Sequence, residues 1–200
     1  MTLHRALGAL VALCAALILS GCFVISKDLP AGDGPINDDR LVGTWQGVNA
    51  DNDEPADAFL HFQKHDDQKP LRLVWVEDKG YQVYDVTTRR IGTKHVFAAM
   101  IIEPKAKAKE DGVPLGYHLG YYEVSANGNE ITFYLLDGDK VSEQISKGRL
   151  KGIMPPKKYD FTTLTGSPDE LARFLASPEG DAARVKDPAK LRRVSTGRKW

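Results

Sequence analysis

The sequence predicts a mainly β domain, an antiparallel up-and-down barrel of about eight strands with a short inserted helix and a C-terminal helix. Three observations carry that prediction. From Leu41 onward, runs rich in Val, Ile, Thr and aromatics alternate with turn clusters such as Asp66-Asp67-Gln68, Asp78-Lys79-Gly80, Asn127-Gly128-Asn129 and Asp137-Gly138-Asp139. Several runs alternate with period two: Ala58, Leu60 and Phe62 share one face while His61 and Gln63 take the other. Finally, seven or eight such runs fall within about 125 residues, a spacing that suits a closed meander.

In order, the expected strands are 41–48, 57–64, 71–77, 81–88, 94–102, 116–124 and 130–136, with an eighth at 159–165. Between the last two, Lys140 to Lys147 followed by Gly148 has the pattern of a short helix with a glycine stop. Ser167 to Leu175 carries the stronger helix signal: Ser167 caps, Pro168 takes the first helical position and Glu170 completes a capping box. Leu171, Phe174 and Leu175 then form one apolar stripe able to dock on the barrel. Residues 177–200 read as a basic C-terminal tail, with Arg184, Lys186, Lys190, Arg192, Arg193, Arg198 and Lys199 against Asp181 and Asp187. The barrel domain with its C-terminal helix is therefore expected over 41–176.

Ahead of it lie two segments of different character. Residues 1–21 hold one cation, Arg5, then an apolar stretch from Ala6 to Leu19, then Ser20 and Gly21, which is a signal-peptide layout. The apolar run is short for a spanning helix, which needs about 20 residues. Residues 22–40 mix Pro, Gly, Asp and Asn, a composition that reads as a solvated, flexible tether.

Leu19-Ser20-Gly21-Cys22 resembles the lipobox of bacterial lipoproteins. The resemblance implies diacylglycerol on the Cys22 thiol, cleavage before Cys22 and acylation of the new amino terminus. Two or more chains give stable membrane attachment without a spanning helix. Phe23 follows the cysteine, where in that family an Asp often marks inner-membrane retention, so the resemblance implies the outer membrane, with the domain facing the periplasm. Cysteine usage agrees, because Cys14 lies in the removed segment and Cys22 is left with no disulfide partner.

Leu41-Val42-Gly43-Thr44-Trp45 resembles the first-strand Gly-x-Trp motif of the lipocalin and calycin proteins. That resemblance implies an eight-stranded barrel in which Gly43 and Trp45 are structural and whose interior holds one small apolar ligand. Among the aromatics on the expected strands, Trp75, Tyr84, Tyr117 and Tyr121 are the candidate ligand-binding residues. A barrel interior filled by its own side chains accounts for the same aromatics, and that alternative stays open.

Composition excludes little else. Without residues 1–21 the chain holds 26 Lys and Arg against 27 Asp and Glu, so no global field points to nucleic acid. Basic clusters at Lys105 to Lys109, at Lys147, Arg149, Lys151, Lys157 and Lys158, and in the tail can lean on anionic lipid if they converge. His61 and His65, four apart in a strand, stand about 13 Å from each other and do not share an ion, so no metal and no cofactor is expected. Asp51 to Glu54 lacks the glycine and distal glutamate of a calcium loop. No nucleophile elbow, phosphate-binding loop or catalytic cysteine occurs, and no catalytic residue is assigned. The expected function is non-enzymatic binding of a small apolar or amphipathic molecule. The alternative is a solid-barrel protein that docks on another envelope component; an enzyme with an unmarked site ranks third.

Overall fold

The structure is a computed structural model and describes residues 24–78, 80–103, 115–154 and 161–194. The signal segment 1–21, Cys22, Lys105 to Lys109, Lys157, Lys158, the first two residues of the expected strand 159–165, Arg198 and Lys199 lie outside them. In chain order the elements are β1 Val24–Ser26, β2 Gly43–Val48, β3 Pro55–Gln63, β4 Leu71–Glu77, β5 Gly80–Ile91, β6 Lys94–Glu103, β7 Tyr117–Val124 and β8 Glu130–Leu135. They continue with α1 Gly138–Ser146, β9 Gly152–Ile153, β10 Thr162–Leu164, α2 Pro168–Ala176, α3 Pro178–Ala182 and β11 Ala189–Arg193.

Strands β2 to β8 form an antiparallel meander, β6 pairing with β7 and β7 with β8. Closure comes from β11, which lies antiparallel between β8 and β2. The result is a closed eight-stranded, calycin-like barrel with the expected inserted and C-terminal helices. All seven runs placed on β2 to β8 are strands. The eighth is corrected: residues 162–164 form β10 outside the barrel, and the wall is completed by 189–193, read from sequence as part of a loose tail. The alternation explains both the error and the structure. Lys190 and Arg192 face out, and Ala189, Leu191 and Arg193 face in, so only one large apolar side chain marks the strand.

The tether over 22–40 is also corrected from Val24 onward. β1 runs parallel to β10 and antiparallel to the start of β7, where β8 has already parted from β7. Its three residues are buried. Downstream the chain is pinned by Lys27 N–H to the Leu164 carbonyl, Ala31 N–H to the Pro168 carbonyl and a bridge between Asp33 and Arg90. The polar composition that suggested solvation is satisfied inside the fold: Asn37 donates to the Asp66 and Lys69 carbonyls at 2.7 and 2.8 Å. A buried polar side chain with its bonds made costs little to keep.

Two apolar cores follow from the two faces of the wall. Inside the barrel, Trp45, Phe62, Leu71, Phe97, Tyr122, Ile131 and Leu191 pack together, and Phe133 meets the Phe97 ring edge-on at 5.1 Å. Outside, Val96, Ala98, Leu119 and Tyr121 of β6 and β7 are covered by Val141, Leu171, Phe174 and Leu175 of α1 and α2, and by Val24 and Leu164. Helix α2 starts on the expected capping box, with Ser167 accepting from Glu170 N–H and Glu170 accepting from Ser167 N–H. α1 starts two residues earlier than expected, capped by Asp137, and Gly148 beyond it adopts φ +68°.

Because β11 supplies both missing ladders, a chain ending at Pro188 leaves β2 and β8 as open edges. Such a chain is expected to lose the cooperative urea transition of the full domain and to self-associate, as read by circular dichroism and sedimentation. Loss of a mere tail would leave both unchanged.

Candidate functional site

The two ends of the barrel are built differently. One is plugged. Trp45 points inward from β2 and is fully buried, and its Nε1–H donates to the Leu41 carbonyl at 2.7 Å. Arg193, reaching in from β11, lays its guanidinium 4.0 Å from the Trp45 ring centroid. Its N–H groups donate to the carbonyls of Gly128, Val42 and Arg40 at 2.9, 2.9 and 2.8 Å. Gly43 has φ +132°, and a Cβ there would sit 2.7 Å from Arg193 Nη1. Gly43 is thus required twice, by its backbone angle and by the room that the arginine occupies.

Beside the plug lies a polar cleft of about 210 Å3 between the N-terminal segment and the barrel, bordered by Asp38, Arg40, Thr88, Arg90, His95 and Tyr122. Asp38 is buried at its centre. Its carboxylate accepts from Tyr122 Oη–H at 2.7 Å, from Arg40 Nε–H and Nη2–H, and from the Arg40 backbone N–H. Burial alone would raise the Asp38 pKa, but the bonds from Arg40 and Tyr122 with the Arg40 charge outweigh it and hold the carboxyl below its ordinary value. Burial pushes the Tyr122 hydroxyl well above its ordinary value, and the His95 imidazole is lowered by burial and by the Arg40 charge. With its acid and its Arg40 spent on each other, this cluster braces the plug.

The other end opens gradually. Along β4 the inward side chains pass from Leu71, fully buried, through Leu73 to the half-buried Trp75. On β8 the same sequence is Ile131, Phe133, Leu135, and on β5, read towards that end, Val86, Tyr84, Gln82. Level with them are Ile101 of β6 and His118 of β7, whose partner across the sheet is Ala99. Small residues, Gly47, Ala58 and Ala189, take the facing wall. Tyr84 donates its hydroxyl hydrogen to Gln82 Oε1, and burial raises its pKa to about 12. Burial lowers the His118 pKa, so its imidazole is held neutral. The Trp75 Nε1–H is buried and has no partner among the described residues. A buried donor left unpaired costs roughly 1–3 kcal/mol, which a ligand acceptor would recover.

The four aromatics expected to line a pocket divide into two pairs. Trp75 and Tyr84 meet at the open end, on adjacent strands where Trp75 faces Gln82 and Leu73 faces Tyr84. Tyr117 and Tyr121 sit on the outer face of β7. Tyr121 donates its hydroxyl hydrogen to the Leu175 carbonyl at 3.0 Å beneath the Arg184 guanidinium, 4.1 Å from the ring centroid. These two fasten the helices to the wall and are corrected as lumen residues. Parity on β7 decides this: Leu119 and Tyr121 face out, Tyr122 and Val124 face in. Arg193, Asp38 and His118 carry no motif in the sequence; only the alternation Leu191, Arg193 places the arginine inward.

His61 bonds Thr44 Oγ1 through Nδ1 at 2.8 Å. Among the described residues no three His, Cys, Asp or Glu side chains gather in a metal-binding arrangement, and no helix is long and apolar enough to cross a membrane. No protein-family model, no curated protein and no solved structure matches this chain. What fold and geometry define together is a calycin-like barrel, plugged at one end and with progressively less buried inward side chains towards the other.

The lowered Asp38 pKa has a pH signature. Its contribution to stability is complete above its unfolded value, near 3.8, and is lost as pH falls through the lower folded value. Urea midpoints of the native domain are expected to fall on acidification below about pH 4, near the free carboxyl pKa. Asp38→Asn is expected to lower the midpoint at neutral pH and to flatten that acid decline.

Proposed function

We propose that this chain is a lipid-anchored envelope protein, facing the periplasm, whose barrel carries or senses one small apolar or amphipathic molecule at its open end. The observation that carries the reading is the burial gradient along β4, β5 and β8, ending at Trp75 and Tyr84 beside an unpartnered indole N–H. A barrel whose side chains merely fill it has no reason to be tight at one end and open, aromatic and short of an acceptor at the other. The occupant is an apolar body bearing at least one acceptor oxygen, set against Trp75 with its tail among Ile101, Leu135 and Tyr84. The binding is non-covalent and asks for no cofactor. Attachment through acyl chains on Cys22, with outer-membrane residence, rests on the lipobox resemblance and on Phe23.

A second reading has its own observation. Phe59, Val76 and Tyr81 lie opposite one another on β3, β4 and β5, on the outer wall, with exposures of 40%, 45% and 58%. A row of neighbouring exposed apolar side chains favours docking on another envelope protein.

Native mass spectrometry of residues 23–200, exported to the periplasm of the producing cell without the lipobox, separates the two. A discrete added mass of a few hundred daltons, lost in Ala58→Trp, which fills the small-residue wall, is the outcome expected of a carrier. A bare mass, or one with a second polypeptide that Val76→Asp releases, would replace the carrier with a docking protein. For the anchor, Cys22→Ser is expected to abolish palmitate labelling of the full chain; a variant that still takes up the label would sink the lipobox assignment.

A further inference from the structure

We infer that the protein lies with one fixed flank, the one formed by β1, β10 and β9, directly on the bilayer. The inference rests on acylation of Cys22 and adds to it an orientation. Val24 is the first residue of β1, is buried, and pairs with Thr162. Two residues of fully extended chain reach about 7 Å, so the Cys22 Cα lies within that distance of the barrel wall. No slack follows behind it. Val24, Ile25 and Ser26 are all buried, and the chain beyond them is pinned by the Lys27 and Ala31 bonds, so lengthening the tether means stripping β1 from both its neighbours.

The register then says what lies beside the anchor. Ile25 is level with Thr163 of β10, which is level with Ile153 of β9. Two strand spacings put Ile153 about 10 Å from Ile25. Met154 is one residue further on, in the row of Val24 and towards the side from which the chain enters. Ile153 and Met154 are 58% and 49% exposed. Acyl chains held within two residues of Val24 bring the headgroup and upper acyl region to these side chains, where an apolar residue gains by insertion. Three of the neighbouring cations among the described residues are engaged in ion pairs within the fold. Lys147 pairs with Glu143, Arg149 with Glu179 and Lys151 with Glu170. The contact is the apolar one of Ile153 and Met154, held in place by the covalent anchor.

The opposite wall is carried by β3 and β4, four strands round the ring from the parting of β7 and β8. Val76 stands on it and is the internal reference. The full chain, acylated in its producing cell, is reconstituted in phosphatidylethanolamine–phosphatidylglycerol vesicles as Met154→Cys or Val76→Cys and labelled with a small thiol-reactive dye. Acylated Cys22 is a thioether and does not compete. Dye at 154 is expected to be quenched by brominated acyl chains and several-fold less accessible to aqueous iodide than dye at 76. A flexible Gly-Ser insertion between Phe23 and Val24 is expected to remove the difference. Acylated, vesicle-bound protein whose two positions are quenched equally by iodide overturns the orientation and leaves the anchor standing. Protein that carries no acyl mass and does not float with vesicles overturns both.

Discussion

The barrel depends on one contact made across its longest sequence separation, Arg193 over Trp45. The last strand brings the arginine and the first barrel strand the indole, so the contact exists only when the ring is closed. Three carbonyls fix the guanidinium, one in the turn between β7 and β8 and two in the segment that enters β2. A cation on an indole face contributes about 0.5–2 kcal/mol, more as water is excluded, and charge-assisted bonds to carbonyls add to it. The plug is thus a single interaction that ties the start, a middle turn and the end of the chain. Gly43 is the backbone's concession to it, and the Asp38–Tyr122–Arg40 cluster seals its rim.

Much of this was legible before any coordinates. Runs rich in Val, Ile, Thr and aromatics between turn clusters placed β2 to β8, and in several of them, β3 above all, period-two alternation named the inward face. Ser167, Pro168 and Glu170 fixed the start of α2 to the residue, since capping is local chemistry. The errors share a cause. β11 has one large apolar side chain and β1 only three residues, so neither generates a clear period, and both are strands because neighbours hydrogen-bond them. Residues 27–40 look solvated because polarity in a sequence does not reveal whether partners wait for it. Asn37 finds carbonyls from 66 and 69, and Asp38 a hydroxyl from 122, which only the closed fold brings near.

The candidate site follows the same division. Trp75 and Tyr84 were identifiable as barrel aromatics, yet their lumenal position, against the outer position of Tyr117 and Tyr121, turns on strand parity. A sheet covered on both faces erases the usual distinction. β7 buries Leu119 and Tyr121 under helices on one side and Tyr122 in the barrel on the other, so its sequence, Tyr-His-Leu-Gly-Tyr-Tyr-Glu-Val, shows no clear alternation. Helical cover thus gives the domain two cores and hides from the sequence which aromatics line which.

That second core also bears on how the open end is kept open. An eight-stranded barrel is just wide enough for its own side chains to fill it or for one small ligand to enter. Here β6 and β7 are clamped from outside by α1 and α2, and Gly120 of β7 meets the Phe97 ring and the Tyr134 carbonyl so closely that no Cβ fits. β1 then takes the place of β8 beside the first residues of β7, holding the wall apart where the barrel widens. The strand that parts β7 from β8 at the mouth, β1, begins two residues after Cys22 in the sequence. Mouth geometry and membrane attachment, if Cys22 is acylated, are therefore set by the same three residues, and a change that loosens Val24–Ser26 from β10 disturbs both together.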